Sequence, residues 1–203
     1  MFQIKYPSMK KSKWLLASLA LVLSTPSQAE YYFAVDATYM DAKTLFRDGT
    51  TNFELAPIRL KFGHRYKEFG WEIQALAPSD DTGEFSGAPG DIDKYELRGG
   101  LGALLTVSSE NRRYYGGIGF TQILADYSVL TGALAGSSTT ESTPFTTINL
   151  GAQFEVSKNT RLTLDYTFYH GDINCTFCTG IGPGTTDPDV RLSTFGIGLS
   201  FTF

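Results

Sequence analysis

The chain has little of several things. Of its 203 residues only two are cysteine and two are histidine. That leaves no second ligand pair to complete a zinc site around the cysteines. Beyond the first thirty residues no apolar run approaches the ~20 residues a spanning helix needs. No Gly-rich stretch stands between a strand and a helix to cradle a phosphate, because the GGLG and GGIG segments lie within strand-like runs. No repeat longer than a hairpin is visible. Basic residues are also scarce: 17 Lys and Arg stand against 21 Asp and Glu, a net charge of −4. An acidic chain with a secretory leader is no nucleic-acid binder.

That leader is present. Lys5, Lys10, Lys11 and Lys13 precede an apolar core from Trp14 to Leu23, and Ser27 and Ala29 have the small-residue spacing of a cleavage site. The reading is a cleaved signal peptide over 1–29 and one domain over 30–203, with Met1 or Met9 as the start. Losing the four leader lysines doubles the net negative charge of the remainder.

What is abundant is alternation. In Arg191 to Phe203, Phe195, Ile197, Leu199, Phe201 and Phe203 take every second place, with Gly196, Gly198, Ser200 and Thr202 between them. A strand sends alternate side chains to opposite faces. Eight such segments can be marked: Tyr31–Met40, Phe53–Gly63, Glu68–Ala77, Lys94–Val107, Arg113 to about Ala125, Phe145–Val156, Arg161–His170 and the last stretch. Each is close to the 9–11 residues of a tilted membrane strand. The connections alternate long and short. Asp41–Asn52, Pro78–Ile92, Asp126–Pro144 and Gly171–Val190 are the long ones. Long external loops and short periplasmic turns are the pattern of outer-membrane barrels. The expected fold is therefore all-β, an eight-stranded antiparallel up-and-down transmembrane β-barrel in the cell outer membrane.

Alternation alone also fits a soluble periplasmic ligand-binding barrel with its apolar face inward. Two features favour the membrane. The polar face is mostly Gly, Ser and Thr with a few balanced charges, unlike a Lys- and Glu-dense water-facing surface. Aromatics also gather near strand ends, at Tyr31, Tyr39, Phe69, Tyr95, Tyr114, Phe168 and Phe203, as in interfacial girdles. An eight-stranded interior is just filled by side chains. Asp36, Arg59, Lys61, Glu72, Glu96, Arg98, Glu155, Arg161 and Asp165 are thus expected to form a paired lumen charge network. A narrow pore for a small solute or ion is the competing reading of those charges.

These features resemble the small outer-membrane barrels of the OmpA/OmpX type over Glu30 to Phe203. In that family the closing strand carries an assembly signal, which Gly198, Phe201 and Phe203 match; Gly196 stands where a polar residue is usual. The resemblance implies insertion by the barrel assembly machinery, contact with outer-membrane lipids and lipopolysaccharide, a monomer, and no cofactor. It also implies an OmpX-like role in adhesion or envelope interaction, with an extracellular ligand held by the loops. OmpA itself adds a peptidoglycan-binding domain after its barrel, and this sequence ends at the barrel.

Three smaller constellations remain. Cys175 and Cys178 lie in the last long loop, in an oxidising compartment, and a short-range disulfide is expected. His170, Asp172 and Ser193 could gather as a lipid-modifying catalytic group, although the His-x-Ser motif of outer-membrane lipid A deacylases is missing; His170 reads as an interfacial residue and His64 as a solvated turn residue. Loop carboxylates such as Asp48, Asp80, Asp81, Glu84, Asp91, Asp93, Asp172, Asp187 and Asp189 could bridge cations to lipopolysaccharide, but read more simply as a solvated acidic rim.

Overall fold

A computed structural model describes residues 29–45, 50–84, 92–131, 135–136, 138–172 and 189–203. All of the expected leader except Ala29, and the two cysteines, lie outside the described residues. Ten strands form one antiparallel sheet: β1 (Ala29–Leu45), β2 (Thr50–Leu55), β3 (Ile58–Tyr66), β4 (Phe69–Leu76), β5 (Ser79–Glu84), β6 (Ile92–Ser108), β7 (Tyr114–Val129), β8 (Ser138–Ser157), β9 (Thr160–Asp172) and β10 (Asp189–Thr202). β10 pairs back onto β1 from Tyr32↔Thr202 to Leu45↔Asp189, which closes the barrel. The Phe203 amide donates to the Tyr31 carbonyl at 3.1 Å, so the seal runs to the last residue.

The ten strands make eight staves. β2 and β3 pair with β1 in one unbroken register, interrupted only at Ala56-Pro57. β4 and β5 share one register against β6, interrupted at Ala77-Pro78. Proline lacks the ladder donor, so each interruption sits where the sequence demands it.

Four segments read as long loops are partly strand. β1 continues to Leu45, β5 occupies Ser79–Glu84, β7 and β8 reach Val129 and Ser138, and β9 and β10 reach Asp172 and Asp189. The staves are longer than a bilayer requires because ladder hydrogen bonds, rather than lipid, set their length once they leave it.

Polarity inverts along most of the staves. In the half nearer the short turns the outward side chains are apolar and exposed, among them Phe33, Val35, Leu60, Phe62, Leu105 and Ile197. Their inward neighbours are polar. In the half nearer the long loops the inward side chains become apolar: Met40, Phe53, Leu55, Leu97, Ile123, Phe145, Tyr169 and Leu192 are each no more than 2 % exposed and pack as one cluster. The outward neighbours there are Asp41, Glu54, Glu96, Arg98 and Ser142. Lipid selects an apolar exterior, whereas water selects a polar exterior and an apolar core. The barrel therefore carries a water-facing collar on a lipid-facing base, and the soluble-barrel arrangement is confined to that collar.

Candidate functional site

The lumen of the base is filled by a charge cluster. Asp36 on β1, Arg59 and Lys61 on β3, and Asp165 on β9 are all at most 3 % exposed. Arg59 donates to Asp36 Oδ2 from Nε at 3.1 Å and from Nη2 at 3.0 Å, and its Nη2 also pairs with Asp165. Lys61 Nζ lies 2.8 Å from Asp36 Oδ2 and also pairs with Asp165. Two cations meet two carboxylates, so the cluster is neutral. Hydroxyls complete it. Thr163 Oγ1 donates to Asp36 Oδ1 at 3.1 Å, Tyr115 OH to Asp165 Oδ2 at 3.2 Å, and Arg59 Nη1 to Thr167 Oγ1 at 2.7 Å. Full satisfaction is what allows ionised groups to stay buried.

These residues meet because β10, which lies between β1 and β9, is nearly bare inside. Asp36 stands opposite Gly198, and Thr38 opposite Gly196. A Cβ on Gly196 would lie 2.6 Å from Arg59 Nη2, and one on Gly198 would lie 2.1 Å from Asp36 Oδ1. The small inward residues of the closing strand make room for the ion cluster to cross it. Phe201 and Phe203, the aromatic members of the expected assembly signal, point outward, with 42 % and 71 % exposure.

Toward the short turns two tyrosines lie over glycines. Tyr32 covers Gly63 and Tyr115 covers Gly151, each its cross-strand partner. The Arg65 guanidinium stacks 4.2 Å from the Tyr32 ring centroid and 5.7 Å from that of Tyr115, and donates to Gln153 Oε1 at 2.9 Å. Tyr32 OH donates to Glu72 Oε2 at 2.6 Å. At the mouth, Glu30 pairs with Arg161 Nη2 at 3.1 Å and with Arg112.

Of the nine charges expected in the lumen, Asp36, Arg59, Lys61 and Asp165 come together, with Glu72 beside them and Arg161 at the mouth. Glu96 and Arg98 do not join. Arg98 is the extra residue of a bulge between Leu97 and Gly99 against β7, and Gly99 takes φ 150°, which side chains resist. Beyond the bulge the parity of β6 flips. Tyr95 and Leu97, expected outward, are buried inside. Glu96 and Arg98 face out and form a surface chain: Lys94–Asp80 at 3.0 Å, Arg98–Glu96 at 2.9 Å and Arg98–Asp126 at 2.6 Å. The Asp126 carboxyl is held below the usual range by hydrogen bonds from Thr140 and Arg98. Glu155 is exposed beside an irregularity between Glu155 and Ser157. Alternation does not single out Arg65, Glu30, Tyr32 or Tyr115; Arg65 falls between the expected Phe53–Gly63 and Glu68–Ala77 segments, although β3 runs through it to Tyr66.

The histidines differ from expectation in one case. His64 is on β3, faces outward, and is 6 % exposed, with ring centroids 4.7 Å from Tyr31 and 6.1 Å from Trp71. It belongs to the interfacial aromatics and not to a solvated turn. His170 is exposed and lies parallel to Phe168 at 6.4 Å. It pairs in register with Arg191, while Ser193 pairs with Phe168, so His170 and Ser193 are diagonal neighbours. No hydrogen bond joins them among the described residues, and the Asp172 side chain lies outside them.

A wide aqueous path does not fit this interior. The neutral ion cluster occupies the lumen of the base, and the apolar cluster occupies that of the collar above it.

Solved outer-membrane barrels resemble the chain, three of them as follows. Neisserial surface protein A has a TM-score of 0.52 at 16% identity, covering 85% of this chain and 97% of its own. Ail of Yersinia pestis, in complex with the heparin analogue sucrose octasulfate, has a TM-score of 0.53 at 15% identity, covering 87% and 100%. OprG of Pseudomonas aeruginosa has a TM-score of 0.54 at 14% identity, covering 87% and 97%. At such identities the likeness is one of fold. None of the curated proteins matches in sequence. The model of the outer membrane protein beta-barrel domain matches residues 15–203. With a closed barrel of eight staves, an apolar outward band and that match, the chain belongs to the outer membrane protein beta-barrel family and resides in the outer membrane.

Proposed function

We propose that the protein is a non-enzymatic, non-conducting surface barrel that binds an external partner through its collar and loops, an OmpX-like role in adhesion or envelope interaction. The observation that carries this reading is the polarity inversion. A collar with its own apolar core is a rigid pedestal, and it lifts the connecting loops clear of the membrane. Recognition usually sits on loops held by such scaffolds.

Charge narrows the partner. On the outer wall of the collar Asp41, Glu54, Asp80, Glu96 and Asp126 outnumber Lys94, Arg98 and Arg191. A polyanion such as the heparin analogue seen with Ail suits that surface poorly, and a basic protein surface suits it well. The test is binding of cells displaying the protein to immobilised basic and heparin-coated surfaces. The reading expects salt-sensitive retention on the basic surface, lost when segments 46–49, 85–91 and 173–188 are replaced by short Gly-Ser links. Retention that survives all three replacements would move the contact off the loops.

A further inference from the structure

We infer that the periplasmic mouth of the barrel is a binding site for an oxyanion, a phosphate or carboxylate group offered from the periplasmic side. Two guanidinium groups converge there on one carboxylate. Arg112 reaches Glu30 from the β6–β7 turn, and Arg161 reaches it from β9. Arg65 stands opposite Glu30 in the β1–β3 register but donates to Gln153 Oε1 and stacks on Tyr32. Glu72, one step further in, is engaged by Tyr32 OH. Glu155 pairs with Arg161 in register but is exposed, and no ion pair joins the two among the described residues. Arg112 and Arg161 thus share a single carboxylate, and this group of three carries one excess positive charge.

Unused donors point into the same place. Arg161 Nη1 is buried without a hydrogen-bond partner, and so is the hydroxyl of Ser200. Ser200 is 1 % exposed and stands opposite Arg161 in the β9–β10 ladder, on the same inward face. Buried donors normally find acceptors. A group with several acceptor oxygens and a negative charge meets both donors and offsets the excess cation, as arginine forks do with phosphate and carboxylate. The site is open enough to load: the Arg112 and Arg161 side chains keep 30 % and 16 % of their exposure. It lies at the opposite end from the loops, so its failure would leave the binding reading above untouched.

The experiment is titration of the isotopically labelled full barrel in detergent micelles with inorganic phosphate, acetate and chloride at matched ionic strength. Phosphate and acetate should give saturable amide shifts at Glu30, Arg161 and Ser200 that chloride does not give. Arg161→Gln should weaken the response about tenfold, the scale of one charge-assisted contact, and Ser200→Ala about threefold. Lys158→Gln, which removes the same charge from an exposed turn residue, should change nothing. Equal shifts with chloride, or an unchanged response in Arg161→Gln, would overturn the site. If Arg161→Gln fails to fold, an unaltered response in Ser200→Ala overturns it instead. A short-chain phosphatidylglycerol that binds tighter than inorganic phosphate would assign the oxyanion to inner-leaflet headgroups; weaker binding would assign it to a soluble periplasmic anion.

Discussion

Gly198 stands directly across the β1–β10 junction from Asp36, and a Cβ there would lie 2.1 Å from the carboxylate and 2.3 Å from the Val35 carbonyl. Neither the backbone of β1 nor the ion cluster can retreat cheaply. At Gly196 the nearest atoms are all side-chain atoms, of Arg59, Asp165 and Thr38. Gly198→Ala should therefore destabilise the barrel by about 2 kcal/mol, in the range of overpacked cores, and Gly196→Ala by less. Denaturant unfolding in lipid vesicles ranks the two. An equal or reversed ranking would mean that Gly198 matters as an assembly signal and not as space for Asp36.

The ion cluster makes a second prediction. Asp165 bridges both cations, so Asp165→Asn leaves a buried excess positive charge and should cost about 3 kcal/mol. Lys61→Met with Asp165→Asn restores neutrality and should recover part of that loss. A double-mutant cycle measures the recovery. The wild-type barrel should be silent in planar bilayers, since the cluster and the apolar layer block the lumen in series. Steady conductance in the wild type, altered by these substitutions, would favour a pore.

Much of the base was legible in alternation because lipid and a narrow interior both penalise error there. A polar residue facing hydrocarbon, or an unpaired charge inside, is costly enough to leave a clean period of two. Asp36, Arg59, Lys61, Glu72 and Asp165 follow from that pattern alone. The collar was not legible, because there both faces change character at once. Tyr95 and Leu97 keep an apolar rhythm while moving from the outside to the inside. The available signal was the Gly99-Gly100 pair, since glycine within a strand marks a bulge. Arg65 was missed for another reason. A charged run before a turn reads as solvated, yet two tyrosine rings and an amide hold this guanidinium in the lumen.

Among the described residues, the β2–β5 junction of the collar has no backbone ladder. The β3–β4 ladder ends where the Ala77 amide donates to the Ile58 carbonyl at 2.8 Å. Continuing that register one step sets Pro57 opposite Pro78, and neither has a donor. Beyond them, side chains close the wall: the Ala56 amide donates to Ser79 Oγ at 3.1 Å and the Glu54 amide to Asp81 Oδ2 at 2.7 Å. Such a seam should open more readily than a ladder. Ser79→Ala with Asp81→Ala should raise hydrogen exchange at the Glu54 and Ala56 amides about tenfold, leaving those of β3 unchanged. Uniform protection across β2 and β3 in the variant would show that the seam is no weaker than the rest of the wall.

Glu141 gives the collar a pH dependence. It is on β8 above the lipid-facing band, and its Oε1 is buried without a partner. Burial pushes its carboxyl from 4.5 up to about 7. The folded collar therefore binds this proton more tightly than the unfolded chain does. Stability from this group is complete below pH 4.5 and is lost as pH rises through about 7. Glu141→Gln removes the charge without removing the shape. It should flatten the pH dependence across that window and stabilise the collar above it by about 1 kcal/mol, less than burial alone would give because water reaches this half-buried carboxylate. Local exchange at Ala125, the register partner of Glu141, reads the effect. If exchange there has the same pH profile in both proteins once the intrinsic rate is divided out, Glu141 is ionised in the folded collar throughout.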